Sequence, residues 1–151
     1  MKLHIAGVNH FDPSYRSQLK LWLERLATDN DGPPAFVATE WDENIFAEVK
    51  RQRGRFREVA QREWPNASSD LLDILALSLG YEADTHTEIF PNVEVLWLDE
   101  GRQYNHVDTY AEDRLRIYKS PLRGEQLADS ASALSKLSRA ATNEARNTAL
   151  P

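Results

Sequence analysis

One imidazole and several carboxylates in this chain stand where short apolar runs stop. Leu3–Val8 runs into Asn9-His10, Ala35–Ala38 into Thr39-Glu40, and Val93–Leu98 into Asp99-Glu100. His, Glu and Asp brought to one place suit two kinds of chemistry. They can move protons to and from a reacting group, or hold a divalent cation that acidifies water. A fifth group, Glu82, follows a leucine stripe. Leu71, Leu75 and Leu79 recur at helical spacing, and continuing by three and four places Glu82 and His86 on the same face. A carboxylate on a core-facing stripe needs a partner, because burying it alone is expensive. Four residues apart on one helix, Glu82 and His86 are also within reach of each other.

These groups need elements to position them. Short apolar runs without polar alternation suit strands buried on both faces. Between them the apolar residues change to helical spacing. Tyr15, Leu19, Trp22, Leu23 and Leu26 predict a helix of about four turns after Asp12-Pro13. Ile45, Phe46, Val49, Phe56, Val59 and Ala60 predict a second, started by Asp42 or Asn44 and broken at Pro65-Asn66. Ser68 or Ser69 caps the leucine-rich third. Alternation of this kind predicts an α/β fold: a mostly parallel sheet of three to four strands with crossover helices, Leu3–Val8 central. A fourth strand is expected around Leu115–Tyr118, if that stretch is not helical. Residues 1–119 are read as the α/β domain, and 120–151 as a helical extension of it, an accessory helix away from the site. In open parallel sheets, ligands bind beyond the carboxyl ends of the strands. The fold therefore predicts His10, Glu40 and Asp99 on one rim, with Glu82 turned toward it.

Composition narrows the functions. The 151 residues carry a formal net charge of −6, which disfavours nucleic acid as a partner. One basic run, Lys50–Arg57, reads either as a solvated helix face or as a local anion patch. The absence of cysteine excludes disulfides, thiolate metal sites and a cysteine nucleophile. With no charged-then-apolar leader and no apolar run of membrane-spanning length, a soluble cytoplasmic protein is expected. No P-loop and no Gly-x-Ser-x-Gly nucleophile turn occurs. Trp41, directly after Glu40, is placed to wall a pocket.

The motifs have a family likeness. "GVNH", Gly7–His10, at the end of a first apolar run resembles the Gly-x-x-His motif of the TraB/Tiki family, in the wider group with ChaN-like and erythromycin-esterase-like proteins. "FVATE" resembles that family's second strand with its terminal Glu. "LGYEAD" followed by "VEVLWLD" resembles its Gly-x-Glu helix and the next strand ending in Asp. The likeness covers roughly residues 3–102, in matching order. It implies a metal-dependent hydrolase acting on a small-molecule or peptide substrate. His10, Glu40, Glu82 and Asp99 would be the metal residues, and Mn, Zn, Co or Fe the cofactor. Glu82 and Glu40 would be the catalytic carboxylates, and Asp99 would orient a ligand. The family continues into a second half with another Gly-x-x-His, and this chain has none. The implied site is thus incomplete unless a partner chain or second copy supplies ligands. The alternative is a non-catalytic binding or protein-interaction module on a reduced form of the same fold.

Overall fold

The computed structural model describes residues 3–29, 32–99, 107–125 and 127–148. The elements in order are α1 (Tyr15–Asp29), β1 (Phe36–Thr39), α2 (Glu43–Glu63), α3 (Ser69–Leu77), α4 (Tyr81–Asp84), a 3-10 turn (Thr85–Glu88), β2 (Glu94–Trp97), a second 3-10 turn (Val107–Thr109), α5 (Tyr110–Lys119) and α6 (Ser130–Thr148).

The molecule is built around α2. Asp42 caps it by accepting from the Asn44 and Ile45 amides, and Gly54 does not interrupt its 21 residues. Its buried side, Phe46, Val49, Phe56 and Ala60, packs on α3 and α5. Ser68 caps α3 through the Leu71 amide. Leu71, Leu72 and Leu75 then enter the same core as Tyr118, Leu122, Ala133 and Leu137. The extension after residue 119 is therefore part of this core. Ser68 also receives it: its amide donates to the Leu127 carbonyl, and its hydroxyl meets Ser130.

The expected mostly parallel sheet of three to four strands is not what forms. Among the described residues the sheet has two strands, β1 and β2, in a mainly helical protein. They are parallel, with Phe36 opposite Glu94 and Thr39 opposite Trp97, so the helical crossover between them stands as expected. Leu3–Val8 is not a strand, central or otherwise. It is irregular, and Leu3 and Ile5 are 77% and 80% exposed. Apolar composition gives a segment reason to be buried, but a strand also needs a neighbour for its amides and carbonyls, and no such ladder forms here. Leu115–Tyr118 is likewise no strand but the second half of α5. Every third or fourth residue there, Ala111, Arg114 and Tyr118, is buried, which is helical spacing.

The leucine stripe is broken too. α3 ends at Leu77, and Gly80 adopts a left-handed conformation (φ 62°) before α4 begins. A Cβ at Gly80 would lie 3.1 Å from Phe46 and 3.2 Å from Val49. Glycine thus permits both the turn and the close approach to α2. Arg53 seals the junction. Its guanidinium donates to the Leu79 carbonyl and, bidentately, to Asp84 at 2.7 and 3.0 Å.

Candidate functional site

His10 lies in the turn, closed by the Asp12 amide on the Asn9 carbonyl, that precedes α1. The His10 residue donates nothing through its backbone amide to any described group, but its carbonyl accepts from Arg114. Its ring meets Glu82: Nδ1 lies 2.8 Å from Oε1. The His10 side chain is 48% exposed and that of Glu82 only 11%, so a solvent-facing imidazole rests on a buried carboxylate. Trp41 Nε1 donates to the same Oε1, also at 2.8 Å. Glu82 Oε2 is buried with no hydrogen-bond partner.

The pair's electrostatics follow from this arrangement. The hydrogen bond to Glu82 raises the pKa of His10 above its ordinary value, against burial and the positive charge of Arg114; the charge of Glu40 adds to the rise. Burial is the largest influence on Glu82 and works to raise it, but the hydrogen bond from His10, a backbone hydrogen bond, the charge of His10 and the hydrogen bond from Trp41 together outweigh it, and the carboxyl is held below the ordinary range. Glu82 is therefore an anion near neutrality. As an ionised carboxylate it accepts only, so Nδ1 of His10 carries the proton toward it. No described group bonds Nε2.

Of the four residues singled out by position, the structure brings two into contact, His10 and Glu82. Glu40 is exposed and reaches His10 through its charge alone. The described hydrogen bonds of the Glu82 carboxylate come from His10 and Trp41, and not from Asp99. Among the described residues no group of three or more His, Asp or Glu side chains is placed to hold a metal ion. His86 does not join Glu82. It is buried after the restart at Gly80, with both ring nitrogens unpartnered. Ser14, close to His10 in sequence, gives its hydroxyl to Asp12.

Two site residues carried too little sequence signal to be assigned. Trp41, whose position after Glu40 suits a pocket wall, is a hydrogen-bond donor to Glu82. Arg114 comes from α5, a stretch whose sequence leaves helix and strand open, and it stands 104 positions from His10. Nor is α6 remote from the site. Ser138 donates to Asp12 Oδ2 at 2.7 Å, two residues from His10. The basic run is acid-paired and, apart from the part-buried Arg53, solvated: Lys50 and Arg53 meet Asp84, Arg51 meets Glu48, Arg55 meets Glu112, and Arg57 meets Asp73. Each of these charges has an acidic neighbour within the chain. Among the described residues, no helix is long and apolar enough to cross a membrane.

No protein-family model matches the chain, and no match was found among curated proteins or solved structures.

Proposed function

We propose that this chain is a hydrolase in which His10 is the general base and Glu82 the group that holds and polarises it. The observation that carries the reading is the 2.8 Å bond from the half-exposed imidazole to a buried, ionised carboxylate. That bond fixes the tautomer with hydrogen on Nδ1 and leaves Nε2 as the basic nitrogen. Nε2 removes a proton from water as the water oxygen attacks an acyl carbon, and the imidazolium formed is stabilised by Glu82. The proton then passes from Nε2 to the leaving group as the acyl bond breaks. Trp41 keeps the Glu82 oxygen in place from the other side. This assignment retains the hydrolase class that the TraB/Tiki likeness implies, while giving Glu82 a holding role.

The test is hydrolysis of a p-nitrophenyl ester and of an amino-acyl p-nitroanilide, with and without EDTA. The expected rate rises with pH through the raised pKa of His10, and His10→Gln lowers it about 100-fold or more, the usual worth of a positioned base. Glu82→Gln lowers it as well. Equal rates for His10→Gln and the parent protein would dismiss His10 as the base. Loss of activity in EDTA would assign the water activation to a metal ion instead.

A second reading, a binding or protein-interaction module, is favoured by a different observation. Leu3, Ile5, Phe36, Leu96 and Leu98 are all exposed, and Phe36, Ala38 and Leu96 share the outer face of the sheet. Parallel sheets ordinarily have both faces covered. Sedimentation analysis showing a monomer at every concentration would remove self-association from this reading.

A further inference from the structure

Arg114 is 5% exposed. A buried guanidinium is costly unless its charge and donors are met, and the usual partner is a carboxylate. None contacts it. One amino group donates to the His10 carbonyl and the other to the Tyr110 hydroxyl at 2.7 Å. The rings of Phe11, Tyr110 and Tyr118 surround it, with centroids 5.0, 5.4 and 6.0 Å from the guanidinium carbon. The strongest donor in this part of the protein is thus directed at the backbone of the residue that carries the candidate base. The neighbouring carbonyl, that of Asn9, is held by the Tyr81 hydroxyl at 3.1 Å. Residues 3–8, on the other side, have no backbone bond to any described residue. Nothing among them holds His10 from its amino-terminal side.

We propose that Arg114 is a positioning residue: by fixing the His10 carbonyl against α5, it keeps the imidazole within bonding reach of Glu82. The proposal rests on the proposed function only for its effect on turnover, because its own test reads the His10 ring directly. Two roles for Arg114 give opposite signs. As a bare positive charge near His10 it opposes protonation, so removing it would raise the His10 pKa. As an anchor it preserves the bond to Glu82, so removing it lowers that pKa toward the ordinary value of about 6.5.

The experiment is an NMR titration of the imidazole carbon-bound protons in the full chain, with the His10 signal assigned by its loss in His10→Gln. Arg114→Met and Arg114→Lys are compared with the parent. The lysine variant keeps the charge but, as a single ammonium on a flexible stem, cannot span both acceptors in the plane of the rings. Both are expected to bring the His10 pKa down to near the ordinary value, and kcat on the p-nitrophenyl ester is expected to fall more than KM changes. Tyr110→Phe, which removes only the second acceptor, should give a smaller fall and serves if the Arg114 variants do not fold. A rise in Arg114→Met with no change in Arg114→Lys would show a charge effect alone and overturn the proposal. So would an unchanged His10 in all three. Should His10 shift as expected in a protein with no hydrolytic activity, the positioning role stands and the hydrolase reading fails separately.

Discussion

Trp41 and His10 converge on one atom: Trp41 Nε1 and His10 Nδ1 each lie 2.8 Å from Oε1 of Glu82. They come from the ends of two unrelated segments, 31 residues apart, and α4 supplies the oxygen between them. Trp41→Phe keeps the aromatic edge packing on Phe46 (5.9 Å between centroids) but deletes the N–H. Glu82 then loses one of the groups that stabilise its anion, so its pKa rises, as read by carboxyl-carbon NMR. The expected loss of stability is about 1.5–3 kcal/mol, the net worth of a hydrogen bond to a charged group.

The His10–Glu82 pair gives stability a window in pH. A raised histidine contributes stability that is full below its ordinary value of 6.5 and is lost as pH rises through the folded value. A lowered carboxyl contributes stability that is full above 4.5 and is lost as pH falls through its folded value. The two contributions coincide between pH 4.5 and 6.5. Urea unfolding of His10→Gln and the parent should therefore differ most in that interval and by less in alkaline solution, where only the hydrogen bond from the neutral imidazole to Glu82 remains. A difference that grows above pH 8 would contradict the pairing.

His86 works in the opposite sense. Burial lowers its pKa, partly offset by Asp84, and neither ring nitrogen finds a partner. Its 3-10 turn packs against α1, and Glu88 of that turn pairs with Arg16 and Lys20 of α1. A histidine with a lowered pKa is neutral in the fold at no cost above its ordinary value of 6.5. Stability falls below that as the unfolded chain takes up the proton. His86→Leu should flatten this part of the pH–stability curve and raise stability at pH 5 relative to pH 8. A parallel curve for variant and parent would contradict it.

Gly80 has both positive φ and crowded space against Phe46 and Val49. Gly80→Ala should destabilise the protein by more than about 1 kcal/mol in thermal or urea unfolding. It should also disturb the α3–α4 turn that aims Glu82, so the His10 pKa falls with it. An alanine variant of parent stability would mean that the restart does not depend on glycine.

Arg53 spans the same junction from α2. Arg53→Lys keeps the charge but loses the planar fork that reaches Leu79 and both Asp84 oxygens. With the Leu79 carbonyl and part of Asp84 left unmet, about 1–3 kcal/mol of stability should be lost.

The sequence by itself determined what is local. The stripe from Tyr15 to Leu26, the caps Asp42 and Ser68, and the break at Pro65 are short-range signals, and α1, α2 and α3 follow from them. The apolar runs at Ala35–Thr39 and Val93–Leu98, separated by helices, became a parallel pair, since strands joined by such a crossover run the same way. His10 and Glu82 were also legible as chemistry in search of partners. Their meeting was not earned by the spacing that suggested it. Gly80 ends the leucine stripe, and α4 aims Glu82 independently of it. The tertiary structure alone decided that Leu3–Val8 has no strand beside it, that Trp41 donates to Glu82, and that Arg114, 104 residues away, grips the His10 carbonyl. The physical reason is the range of the forces involved. Periodicity and caps are settled within a few residues, whereas a ladder or a buried charge is settled by which distant group arrives to satisfy it.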